Sequence, residues 1–226
     1  MVGLDTTAQA HRTSWLPYVA PMAFFLGLTA LEGQFEGHYV WIYFAKVLLT
    51  AAALCYFRET WKDVRFEAKW IVPCVALGLA LFAVWIWVDK NVAYPHFLGS
   101  RTGFNPYEKI ADDGLRSAFL AVRFVGLVLL VPFMEEIFWR SFVVRYASKP
   151  DFWTLPIGTF TWTGFAIMVG LFAAAHPEWL PAAIFAAAMG LLVKYSRSIF
   201  ACIVTHAVTN LALGIYVVTR SDWNYW

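Results

Sequence analysis

Apolar residues run in long blocks along this chain, and the polar ones gather between the blocks. A helix needs about 20 mostly apolar residues to cross a bilayer. On that measure the candidate spans are 16–31, 39–57, 70–88, 117–146, 157–175, 180–195 and 198–218. The pattern predicts an all-α, polytopic transmembrane bundle of about seven spans, with six to eight as the range because two blocks are short. One integral membrane domain over 1–226 is the natural count. The first fifteen residues are polar and mixed. The apolar block after them lacks a cleavage site of small residues, so it reads as a retained span.

The polar intervals suggest an orientation. The connector 58–69 carries Arg58, Lys62, Arg65 and Lys69 and reads as an inner loop, whereas the turn at 32–37 has no Lys or Arg. Arg140, Arg145, Lys149, Lys194 and Arg197 mark further inner ends, giving an N-in, C-out chain. The long connector 89–116 also has four basic residues. Its segment 105–116 mixes Ile110 and Leu115 with charges, as an interfacial helix or an ordered loop over a cavity would. Trp15, Tyr18, Trp85, Trp87, Trp223 and Trp226 fall near span ends, as in an aromatic belt.

Composition agrees with a membrane assignment. The 226 residues are 61% hydrophobic and 14% charged, with mean hydropathy +0.60; a soluble domain is nearer 45–50% apolar and about 25% charged. A net charge of +2, with no basic patch interleaved with aromatics, gives no footprint for nucleic acid. Cys55, Cys74 and Cys202 lie inside apolar blocks with no C-x-x-C, which predicts buried free thiols rather than disulfides or a thiolate metal site.

The fourth block contains Glu135-Glu136-Ile137-Phe138-Trp139-Arg140. Charges within a membrane span are expensive and call for partners or a function. Glu136 and Arg140 are one helical turn apart and can pair. Glu135 points about 100° away and is a candidate general base. The fifth block ends in Phe172-Ala173-Ala174-Ala175-His176-Pro177, and the proline biases the helix to stop beside His176. The last block holds His206 and Asn210 one turn apart, two donors that can meet at one point. Each feature alone fits a structural role: an interfacial histidine, or polar glue between helices. Together they suit one mechanism, in which Glu135 and His176 activate a water and His206 and Asn210 donate to an oxyanion. Cys202, a turn before His206, offers a Cys–His pair as a rival. Glu135, His176 and His206 are also possible metal ligands, one carboxylate and two imidazoles.

These motifs, EE-x-x-x-R (Glu135, Glu136, Arg140), F-x-x-x-H (Phe172, His176) and H-x-x-x-N (His206, Asn210), resemble in order and spacing those of the CPBP family, the type II CAAX prenyl endopeptidases and their bacterial relatives. The likeness covers about residues 131–211. The tryptophan-rich N-terminal hundred residues are similar to the CAAX-protease-related proteins found with exosortase systems. The resemblance implies a glutamate-dependent intramembrane endopeptidase without metal or cofactor, acting on a membrane-embedded or lipidated protein, for example a prenylated one, in a prokaryotic inner membrane. It assigns Glu135 and His176 to water, His206 and Asn210 to the oxyanion, and Glu136, Arg140 and Phe172 to support. A non-catalytic binding or immunity protein of the same fold is the alternative, and a metal-dependent hydrolase a further one. In a plain seven-span topology Glu135 lies toward the inner side while His176 ends an outward span, so the two meet only if the fourth helix breaks or kinks near Pro132 or a segment is re-entrant.

Overall fold

The structure, a computed structural model, describes residues 14–97, Gly99 and 103–225. Most of the polar N-terminal segment, residues 98 and 100–102 of the long connector, and Trp226 of the expected belt lie outside them. Among the described residues every regular element is helical. The long elements are α1 (Leu16–Gln34), α2 (Tyr39–Tyr56), α3 (Ile71–Asn91), α4 (Asp113–Ser148), α5 (Trp162–Ala174), α6 (Trp179–Ser196) and α7 (Ile199–Arg220). Six of them are long and apolar enough to cross a membrane; α5 is the exception. This agrees with the polytopic all-α bundle and falls within the expected six to eight spans.

Lipid tails are as apolar as leucine, so helix association here depends on close packing and buried polar contacts rather than on hydrophobic burial. At Gly78 in α3, an added Cβ would lie 2.6 Å from the Thr205 carbonyl oxygen of α7. Only glycine allows that approach. Thr209 uses it, its hydroxyl donating to the Gly78 carbonyl at 2.9 Å. Between α1 and α2 the contact is ionic: Lys46 meets Glu32 at 2.5 Å with both side chains buried.

The expected fifth span, 157–175, is the element that departs furthest from the sequence reading. Ile157 and Gly158 form a turn in which Gly158 has φ +83° and packs against the Val193 carbonyl. Thr161 then caps α5 by accepting from the Gly164 N–H at 3.0 Å, and its hydroxyl meets Ser148 at the end of α4, 2.7 Å away. The remaining 13 residues of α5 rise about 20 Å, two-thirds of a hydrocarbon core of about 30 Å. The helix is therefore too short to cross a membrane by itself, and α6 follows it after residues 175–178. Glu135 lies 13 positions before Ser148, also about 20 Å along α4. With Ser148 and Thr161 side by side, antiparallel packing thus brings Glu135 and His176 to one level. Of the two expected routes, a broken or kinked fourth helix and a re-entrant segment, the short α5–α6 hairpin corresponds to the second.

The helix α4 does not break at Pro132. It runs on through it, with π turns over Gly126–Leu130 and Ile137–Val143 flanking an α-segment Val131–Glu136. The Val131 N–H reaches back five residues to Gly126 O. A π turn is a common response to a residue that cannot join the i→i−4 ladder, and it is the irregularity found where a break or kink was expected. Two smaller expectations also change. Cys55 is exposed while Cys74 and Cys202 are buried, all three being free. Tyr18 and Trp85 are not belt residues: Tyr18 is buried and donates to Asp63 at 3.0 Å, and Trp85 faces the cavity described next.

Candidate active site

Fully buried Glu136 accepts two bonds at one oxygen: Oε1 takes Nη1 of Arg140 at 3.1 Å and Nδ1 of His206 at 2.7 Å. The first is the expected one-turn pair. The second joins residues 70 positions apart and was not legible in the spacing. Arg140 is wholly buried, and its guanidinium lies 4.8 Å from the centre of the Phe172 ring. A cation over an aromatic face gains charge–quadrupole attraction where water is absent. Through this contact Phe172 ties α5 to α4, and the Trp139 ring adds a second tie at 5.6 Å.

His176 follows the last turn of α5. Its Nδ1 is 2.8 Å from the Phe172 carbonyl oxygen. A carbonyl only accepts, so Nδ1 carries the proton, and in the neutral ring Nε2 has the lone pair. The ring stacks on Phe172 with centroids 4.5 Å apart and meets the Trp85 edge at 6.0 Å. On His206 the bond to Glu136 likewise fixes Nδ1 as donor, so Nε2 is the nitrogen available for chemistry. Phe185 packs edge-on against this ring at 5.0 Å.

Asn210 has a structural bond that the sequence reading did not foresee. Its Nδ2 donates to the Leu127 carbonyl at 2.9 Å. In π register the natural donor to Leu127 O is the N–H of residue 132, and that residue is proline. Asn210 fills the place that Pro132 leaves empty. Only one of its two amide protons is used in this way, so the second remains for an oxyanion.

One cavity of about 640 Å³ is lined by Glu135, His176, His206 and Asn210 together, with Trp85 and Trp139 among its walls. Glu135 is 9% exposed. The four candidate residues, from α4, the end of α5 and α7, therefore share one space, and Glu136 and Arg140 form the brace beside it. The other chemistries considered are not supported by the positions. Among the described residues no three His, Cys, Asp or Glu side chains come together in a way that would hold a metal ion. Cys202 is 0% exposed, with its thiol directed at the Met189 carbonyl at 3.9 Å rather than at His206.

Two further polar clusters flank the site. Near the C-terminal end of α4, Asp63 Oδ2 accepts from Tyr18, Ser141 at 2.6 Å and Arg145 at 2.9 Å, anchoring α4 to the 58–69 connector. Toward the other side the cavity is also lined by Glu32, Lys46 and Arg123. Arg123 turns inward, Nη1 donating to the Tyr39 hydroxyl at 3.0 Å. Lys46 was hidden by the long apolar run of α2, and Glu32 by its place beside a turn.

The fold and the site define a class: a polytopic helical membrane protein with a carboxylate, two histidines and an asparagine around a buried cavity. Comparison finds a likeness over part of the chain. Residues 117–212 match the family described as Type II CAAX prenyl endopeptidase Rce1-like, and the CAAX/CPBP resemblance carried by the motifs is borne out over that segment. The match starts at Ser117, so the likeness of the N-terminal hundred residues to the exosortase-associated group rests on composition alone. No curated protein and no solved structure matches the chain.

Proposed function

We propose that the chain is a glutamate-dependent intramembrane endopeptidase that hydrolyses a peptide bond in a membrane-embedded or lipidated protein, in a prokaryotic inner membrane. The observation that carries this reading is the single cavity shared by Glu135, His176, His206 and Asn210, in a segment matched to a CAAX-type endopeptidase family. Glu135 takes one proton from water while His176 Nε2 accepts a hydrogen bond from the remaining O–H, holding it in line. The oxygen adds to the peptide carbonyl carbon, and the carbonyl oxygen becomes the oxyanion. With both its nitrogens protonated, His206 keeps Nδ1 on Glu136 and donates from Nε2; the second Asn210 N–H donates beside it. Collapse breaks the C–N bond, and the proton on Glu135 passes to the leaving nitrogen. A low-dielectric cavity makes these donors worth more than they are in water.

Glu135→Gln keeps the shape and removes the base. Membrane proteomes of cells carrying wild type or this variant are expected to differ by a full-length protein that accumulates with the variant. Identical proteomes, with both proteins present at equal level, would refute the reading.

A further inference from the structure

The cavity has two unlike ends, and the proposed chemistry uses only the one at Glu135 and His176. The other end is basic. Lys46 and Arg123 lie on the Tyr43 ring, with the Lys46 ammonium 4.8 Å and the Arg123 guanidinium 4.7 Å from its centroid. Lys109 lines the cavity too. Its connector is brought there by Phe104, which stacks on Tyr39 at 4.2 Å, the tyrosine that receives the Arg123 bond. Three cations thus face the cavity at this end with one carboxylate, Glu32, which pairs with Lys46.

Arg123 and Glu135 sit on the same helix, 12 positions apart. On an unbroken α-helix that spacing leaves them about 120° out of phase. The π turn at Gly126–Leu130 takes up one extra residue, removing about 100° of the difference. The two side chains then point into the same cavity, separated by about 18 Å of helix. An extended peptide covers that distance in about five residues.

We infer that the Arg123 end is a subsite for an oxyanion carried by the peptide substrate, about five residues from the bond that is cut. A cation cluster within a membrane is costly unless it serves a ligand or a pathway, and a guanidinium is suited to an oxyanion. The inference rests on the endopeptidase reading for the position of the cut, but not for the binding of the anion. The shared chemistry is an oxyanion, and two sources can present it: a carboxylate on the peptide, or the phosphate of a bound phospholipid.

The test uses amidated apolar decapeptides with one Glu at a scanned position, and their Gln counterparts, on protein reconstituted in phosphatidylcholine vesicles. On the Glu135→Gln protein, Glu peptides are expected to bind about ten-fold more tightly than Gln peptides, the scale of one charged hydrogen bond. Adding Arg123→Gln collapses that ratio to about one, and Arg123→Lys restores part of it. Mass spectrometry of wild-type products places the cut four to six residues from the Glu. Equal affinities for Glu and Gln peptides, or a ratio untouched by Arg123→Gln, overturns the proposal. Equal affinities together with Arg123-dependent binding of labelled phosphatidylglycerol assigns the subsite to lipid phosphate and overturns the peptide source. Arg123-dependent Glu preference without any cleavage by wild type upholds the subsite and removes the endopeptidase reading.

Discussion

Replacing Asn210 with alanine separates the two jobs that this side chain holds. One amide proton goes to the Leu127 carbonyl at 2.9 Å, an acceptor whose π-register donor is missing at Pro132. Loss of that bond in a membrane costs about 0.6 kcal/mol on average. A carbonyl left unsatisfied away from water raises the cost toward about 1–3 kcal/mol, so we expect about 1–2 kcal/mol. The second perturbation is Pro132→Ala, which returns an N–H to position 132. Asn210→Ala in that background should cost much less, giving a coupling of about 1 kcal/mol, where independent sites add within about 0.3–0.5 kcal/mol. Reversible unfolding of the four proteins in mixed detergent reads the cycle. Additive effects would refute the idea that Asn210 substitutes for the missing proline N–H. Hydrolysis gives a second readout: the double variant should regain stability but not rate, because the oxyanion donor is still absent.

Glu136→Leu should destabilise by about 3–5 kcal/mol, because it strands the buried Arg140 charge; Glu136→Leu with Arg140→Leu should cost far less, as apolar pairs often replace buried ion pairs at little penalty. Unfolding of both variants checks this, and a double variant as damaged as the single one would contradict it. On the side where α7 ends, the hydroxyls of Tyr94 and Tyr225 donate to Asp89. Burial, and then the bond to Asp89, raise both phenols above their usual range near pH 10. Their contribution is fully present below about pH 10 and is lost as pH rises through the folded values. Alkaline unfolding should therefore be shallower for Tyr225→Phe than for wild type, and identical slopes would argue against the contact.

Much of the chemistry could be read from the chain, and much of the geometry could not. The pair Glu136–Arg140 was legible because a one-turn spacing forces proximity on any helix. The candidates Glu135, His176, His206 and Asn210 were legible because polar groups stand out in apolar blocks. The bond from His206 to Glu136 was not, since no local rule connects residues from two helices. The stopping point of α5 was hidden for another reason. The apolar run continues through Ile157, and only the Gly158 turn and the Thr161 cap show where the helix begins. Pro132 signalled a disturbance, but whether a helix answers by breaking or by a π turn depends on what is packed nearby, here Asn210. The inward cations Lys46 and Arg123 depend on Glu32, Tyr39 and Tyr43 across helix contacts, which sequence spacing does not supply.

The half-depth helix α5 has a consequence for how the protein is made. At 13 residues it is too short to enter the membrane as a span of its own, so it must be delivered with α6 as a hairpin, after α4 is already in place. His206 and Asn210 then arrive on α7, behind everything else. Until that helix docks, Glu136 lacks its histidine and the Leu127 carbonyl lacks its donor. The four groups of the proposed site are therefore assembled only when the last helix docks.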